Sequence, residues 1–407
     1  MAPLCYDPDS PDELEVALPS SPLITLSNNA YLQPPLTRRG TGPGMIAFLP
    51  PSSAYKPNIG KPLDPEPVQK WAEEGFAVVG VTSGEGWSIE EALTKGVDAL
   101  LSLEELDTRD KFAVYVYDPN AVSEVLLQIQ QVNDTRLSCI VAIGNPEKLP
   151  SVPTYLHLPP TANHPHIATT ISHRFTKSPY FLLPQSAEYV PGEATLAHSR
   201  VLEFLRRILG GPVFDIEAIW EEHTYFEFEV RSVAKTMGTM VAEPYVNHVP
   251  TMTGGVGRKA LSAFYRDHFI FANPADATMI PVSRTVGSDR VVDEFIFKLT
   301  HDRVVDWLLP GVPPTGKLLE IPMMGVINIR GDRLYHEHIW WDQATALFQA
   351  GILASHIPYP TPEGQKMLRL PVSGAESARM LINEMDGNSN AMLGSDWGIR
   401  TLDSVSS

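Results

Sequence analysis

Cysteine is nearly absent: Cys5 and Cys139 are the two in 407 residues. That is too few for a disulfide framework, so a reducing compartment is the expectation. Basic runs are missing too. No Lys/Arg run exceeds two residues and the formal net charge is −17, so the field repels nucleic acid and anionic membrane surfaces alike. No apolar run approaches the roughly 20 residues of a membrane span. The opening MAPLCYDPDSPDELE is acidic and Pro-rich, the wrong chemistry for a targeting peptide. There is no internal repeat and no G-x-S-x-G. Thr253-Gly-Gly-Val-Gly257 lacks the lysine of a phosphate-binding loop. These exclusions leave the expectation of a soluble, cytoplasmic chain with neither nucleic acid nor membrane as partner.

Proline is abundant, 37 residues, concentrated in 1–65, 147–165 and 309–363, where loops belong. Hydrophobic residues make up 43% of the chain, and its length suits two domains with tails. Over 45–210, short apolar runs alternate with helical periodicity. The expected strands are Met45–Leu49, Phe76–Val81, Lys111–Tyr117, Ser138–Ile143 and Tyr180–Leu183. The expected helices are Glu66–Glu74, Ile89–Leu103, Val122–Gln131 and Glu193–Leu209. Near-continuous apolar strands between helices indicate a parallel sheet covered on both faces, an α/β three-layer domain. Residues 1–44 are read as an N-terminal extension.

From Val213 the pattern changes to helices over Trp220–Met240 and Arg258–Phe271. Alternating strands follow over Ala277–Thr285, Arg290–Thr300, Lys317–Arg330 and Arg333–Trp341. This is an α+β arrangement, assigned to 213–354, with 355–407 as a tail expected to wrap the surface or fray.

The framework PLDPEPVQKWAEEGFAVVGVT (62–82), DKFAVYVYDPNA (110–121), VPTYLHLPP (152–160) and EATLAHSRVLEFLRRIL (193–209) resembles the dienelactone hydrolase family of α/β-hydrolases. The resemblance implies a hydrolase-like fold for 45–210 but not the family's machinery. Where that family carries Gly-Tyr-Cys-Leu-Gly-Gly, this chain reads Val116-Tyr-Asp-Pro-Asn-Ala121. Asp118 replaces the nucleophilic Cys, and Pro119 has no N–H to donate to an oxyanion. The family's His falls on Glu188 and its Asp near Ala162-Asn163. A nucleophilic Asp118 would still need a base, with His164 or His173 the candidates. Asp-Pro-Asn is also an ordinary turn signal.

In the second half, Leu334-Tyr-His-Glu-His-Ile-Trp-Trp-Asp-Gln343 is the densest run of chemistry-bearing side chains. Strand alternation puts Leu334, His336, His338, Trp340 and Asp342 on one face, and Tyr335, Glu337, Ile339 and Trp341 on the other. The first set, polar groups beside a tryptophan, is read as a pocket wall. The residues Glu243-Pro-Tyr-Val-Asn-His248, Thr253–Arg258, Ala260–Phe269 and Arg333–Leu353 resemble SnoaL-like polyketide cyclases and the NTF2-like fold, which implies a cone-shaped barrel. In that family a base Asp ends the last strand, which places it on Asp342. His338, His336 and His248 become its catalytic partners, and Tyr245, Glu294, Arg284, Trp307, Trp340 and Phe271 the substrate contacts. Pairing of such domains implies a homodimer.

Two plainer readings stand beside this. His336-x-His338 with Glu294 and His248 could ligate a metal, but the spacing is weak and no metal and no cofactor is expected. Asp342 could simply cap a following helix. Arg284 could be an ion-pair partner, and His223, His268 and His301 show no special spacing. The functional expectation is cofactor-independent acid/base chemistry on a carbonyl or lactone compound, by cyclisation, isomerisation or hydration/dehydration. The alternatives are a dienelactone- or ester-type hydrolase in the α/β domain, and a non-catalytic small-molecule binder.

Overall fold

The computed structural model describes residues 5–60, 62–163 and 168–400. Among the described residues the fold is mixed α and β with three sheets. It divides into two compact units: Ala17–Asp215 with Arg330–Asp332, termed the α/β unit, and Met1–Val16 with Ile216–Ile329 and Arg333–Ser407, termed the α+β unit.

The α/β unit holds β1 (Ile24–Ser27), β2 (Ala30–Gln33), β3 (Gly42–Leu49), α1 (Pro67–Glu73), β4 (Ala77–Thr82), α2 (Ile89–Leu101), β5 (Leu106–Val116), α3 (Val122–Val132), β6 (Leu137–Ile143), β7 (Thr154–Leu158), β8 (Thr170–Arg174) and α4 (Pro191–Leu209). The strand order is β1-β2-β4-β3-β5-β6-β7-β8, parallel from β4 through β8 and antiparallel at β1 and β2. Strands β3, β4 and the end of β5 are buried along their length, as expected where helices cover both faces. Two apolar clusters, one on each side of the sheet, form its core. Ser88 opens α2 with a capping box shared with Glu91.

Two readings need correction. Residues 24–33, placed in an extension, form a hairpin whose second strand pairs with β4. Tyr180–Leu183 is a succession of turns, because the eighth strand is Thr170–Arg174 instead.

The α+β unit holds α5 (Ile216–Tyr225), α6 (Val233–Gly238), β9 (Met240–His248), β10 (Thr253–Val256), α7 (Arg258–Phe264), β11 (Thr278–Val286), β12 (Arg290–Thr300), β13 (Leu318–Arg330), β14 (Arg333–Trp341) and α8 (Gln343–Gln349). Its main sheet runs β10-β9-β14-β13-β12-β11, with β14 and β9 parallel. The helix expected over 220–240 is broken. α5 passes into a π-helical turn, Phe226–Val230, which ends where Arg231 adopts a left-handed φ of 56° and Ser232 caps α6. α7 likewise runs into a π-helical turn, Tyr265–Phe269. The tail orders into β15 (His356–Thr361), β16 (Gly364–Arg369), α9 (Glu376–Ile382) and β17 (Gly398–Arg400), the strands forming a small sheet of their own.

Candidate active site

Inside the α+β unit, Ile216, Ile219, Trp220 and His223 are buried on one face of α5 at helical spacing. Glu227, four residues beyond His223, continues that face into the π-helical turn and is buried as well. Wider turns of this kind are frequent at functional sites. Across from them β14 brings Glu337, also buried, and the second π-helical turn brings Tyr265.

These four side chains meet. His223 Nε2 lies 3.1 Å from both Glu227 Oε1 and Glu337 Oε1. The Tyr265 hydroxyl lies 3.3 Å from the same nitrogen and donates to Glu337 Oε1 at 3.5 Å. On the other side of the ring, His223 Nδ1 is 2.6 Å from Thr239 Oγ1. That hydroxyl donates to the Thr236 carbonyl at 2.7 Å, so its oxygen accepts from Nδ1–H and fixes the ring's orientation.

Charge follows from this geometry. Burial alone would lower the His223 pKa, but the Glu227 and Glu337 carboxylates outweigh it and hold the imidazolium up to about 10. Burial pushes the Glu227 carboxyl up, against the pull of His223. Two buried carboxylates therefore share one cationic ring. Among the described residues no Lys or Arg pairs with either carboxylate.

Both carboxylates face a cavity of about 30 Å³ walled by Trp220, Phe228, Phe269, Phe295, Phe297 and Trp307, with Met279, Met323, Ile339 and His248 completing it. That volume holds about two waters. An organic ligand has to displace side chains to enter, and the flexible Met279 and Met323 are the easiest to move. His248 stacks on Phe269 (ring centroids 5.4 Å apart) and packs against Trp307 at 4.8 Å. Burial pushes its pKa down to about 3, so the ring is neutral near pH 7, with Nδ1 3.2 Å from Thr253 Oγ1 on β10.

Of the side chains singled out in the sequence, His248 and Trp307 line this cavity. The others do not. On β14 the inward parity is Glu337, Ile339 and Trp341, the set opposite to the one read as the pocket wall. His336 and His338 stack on each other at 4.6 Å on the outer side, His338 against Tyr245 at 5.5 Å, and Trp340 is 45% exposed. Asp342 caps α8, accepting from the Ala344 and Thr345 N–H groups and from the Thr345 hydroxyl. Glu294 accepts from Ser283. Arg284 pairs with Asp293, Glu217 and Glu221. Phe271 packs edge-on against Tyr6. The ligand set His336, His338, Glu294 and His248 is not brought together.

His223, Glu227, Glu337 and Tyr265 were not selected from the sequence. The available signal was a His and a Glu, four apart, on the apolar face of a helix.

In the α/β unit, Asp118 follows β5 and is buried. Its Oδ2 accepts from the Ser83 hydroxyl at 2.8 Å and its Oδ1 from the Asn120 N–H at 3.0 Å, a turn of the Asx type. Its φ is not left-handed, and among the described residues no histidine bonds it. His173 pairs with Tyr155, Glu188 with Ser178, and His164 lies outside the described residues.

No protein-family model matches the chain, and no curated protein sequence matches it. Solved structures do overlap about a third of it. A ketosteroid isomerase-like fold from Catenulispora acidiphila in complex with trimethylamine is 13% identical, covering 33% of this chain and 93% of its own, with a TM-score of 0.27. A SnoaL-like polyketide cyclase candidate from Jannaschia sp. CCS1 is 16% identical over 35% and 99%, with a TM-score of 0.28. TerC co-crystallised with polyporic acid is 15% identical over 33% and 97%, with a TM-score of 0.26. Likeness of this strength says nothing of the chain's activity.

Proposed function

We propose that the α+β unit is an NTF2/SnoaL-like domain whose cavity performs acid/base chemistry on a carbonyl compound with a flat, apolar body. The observation that carries this reading is the buried trio His223–Glu227–Glu337 facing an aromatic-walled space. A carboxylate in an apolar site holds its proton more tightly than in water, which suits it to take a proton from carbon beside a carbonyl and to return it elsewhere. Glu227 and Glu337 act together, one taking the proton and the other returning it, so that loss of either disables the transfer. The His223 imidazolium lies between the two carboxylates, and the Tyr265 O–H beside Glu337 is the group able to steady an enolate oxygen. Trp307, Phe295 and Phe297 supply flat walls for an aromatic or polyketide-like substrate. Isomerisation, cyclisation and dehydration all begin with such a proton transfer.

The strand order of the α/β unit supports an α/β-hydrolase-type fold for it. The turn role of Asp118 and the missing N–H at Pro119 support a scaffold without hydrolytic machinery. A panel of aromatic ketones and β-diketones incubated with the full chain in D2O tests the reading by NMR. Deuterium entering the α-carbon, and slowed by about 10²–10⁴-fold in Glu227→Gln, is the expected result. Exchange no faster than in buffer across a panel shown to bind would mean that the cavity only holds ligands.

A further inference from the structure

We infer that His223, Glu227 and Glu337 also form a site for one divalent transition-metal ion of the zinc class, taken up in exchange for the proton that His223 Nε2 carries between the two carboxylates. The inference shares the cavity of the proposed function but does not rest on its proton-transfer chemistry, since ion and proton are alternative occupants of the same three groups.

The geometry is suited to it. One ligand atom from each of the three residues lies within 4.8 Å of the others, and all three residues are buried. The two nitrogen–oxygen separations are 3.1 Å each. Metal–ligand bonds of about 2.0–2.2 Å place neighbouring ligand atoms about 3.3–3.6 Å apart in a tetrahedral site, so coordination needs each glutamate oxygen to draw back from the ring nitrogen by only a few tenths of an ångström. The tautomer is already set: Nδ1–H is held by Thr239, whose own proton goes to the Thr236 carbonyl, and this leaves Nε2 as the ligating atom. An outer partner on the second ring nitrogen is what orients metal-bound histidines generally. Charge argues in the same direction. Two carboxylates with one imidazolium leave a buried excess of negative charge, whereas a divalent ion with a neutral imidazole balances it. One imidazole and two carboxylates leave open positions toward the cavity, and Tyr265 O–H stands beside them at 3.3 Å from Nε2. The donor set, one nitrogen and two carboxylate oxygens, suits Zn2+, Mn2+ or Fe2+ better than a soft ion.

The experiment takes the full chain, stripped with a chelator and dialysed, and titrates it with Zn2+ and with Mn2+ by calorimetry. One ion per chain is expected, with affinity lowered about 10-fold or more in Glu227→Gln and about 10–100-fold in Thr239→Val, which removes the outer partner and leaves the three ligands in place. No saturable binding, or binding unchanged in Glu227→Gln, overturns the inference. Should either variant fail to fold, anomalous diffraction from wild-type crystals soaked in Zn2+ decides. A peak between His223 and the two glutamates supports the site, and peaks confined to other residues refute it. The failures separate cleanly. Deuterium exchange without metal binding leaves the acid/base reading intact, while exchange that requires added metal replaces it.

Discussion

The two units both bury histidines, and they treat them differently. In the α/β unit His157 has no carboxylate partner among the described residues: its Nε2 lies 3.1 Å from the Tyr115 hydroxyl, Tyr155 and Phe181 pack around it, and the charges that reach it, from His173 and Arg200, are of its own sign. Burial pushes its pKa down to about 3. In the α+β unit His223 is just as buried but is clasped by two carboxylates and charged. A buried neutral network satisfies its hydrogen bonds and stays inert, whereas a buried ionic trio beside a cavity is a costly arrangement to keep without a task. The same contrast separates the two aspartate candidates from the cavity. Asp118 and Asp342 both have their oxygens engaged by neighbouring N–H and O–H groups, one in a turn and one at a helix start.

The comparison can be broken most forcefully at His223. Replacing it with Ala leaves two buried carboxylates without a cation, and a loss of about 3–5 kcal/mol is expected from denaturant unfolding. A loss under about 1 kcal/mol would mean that the trio is not ionised as described.

Next in size is the response to pH. His157 and His248 both have folded pKa values of about 3 against about 6.5 unfolded, so the folded state excludes their protons. Their contribution is present above pH 6.5 and is lost as pH falls toward 3, at about 1.4 kcal/mol per pH unit for each ring. His223, raised to about 10, contributes fully below pH 6.5 and loses that contribution as pH rises through 10. Stability measured against pH should therefore fall on both sides, with His248→Phe flattening the acid limb and leaving the alkaline one. An alkaline limb unchanged in Glu337→Gln would contradict the pairing.

The smallest effect belongs to the cap. Asp342→Ala is expected to cost about 0.5–2 kcal/mol through the lost N-cap of α8, with proton exchange at the cavity unaltered. Abolished exchange in a folded Asp342→Ala protein would return the base to the end of β14.

Much of the architecture was legible because periodicity reports burial: β12 and β14 run over the residues where alternation placed them. What sequence did not deliver was the direction of one strand's faces. On β14, attention to His336, His338 and Asp342 outweighed the apolar pair Ile339 and Trp341, which marks the inward parity and carries Glu337 with it. A register irregularity against β9 between Leu334 and His336 further separates buried Leu334 from the regular part of the strand. His223 was passed over for a different reason. A histidine on an apolar helix face gains meaning only from partners on another element, here Glu337 and Tyr265, and no linear spacing shows that encounter. The break after α5 was equally hidden, since a left-handed Arg231 carries no compositional signal.

The central claim is that chemistry resides in the α+β cavity and not at Asp118. It is tested most directly by comparing α-carbon deuterium exchange, on a ketone that the wild-type chain turns over, in Glu337→Gln and Asp118→Asn. The account expects Glu337→Gln to slow exchange by about 10²–10⁴-fold and Asp118→Asn to leave it at the wild-type rate. Loss in Asp118→Asn, with Glu337→Gln unimpaired, would contradict it.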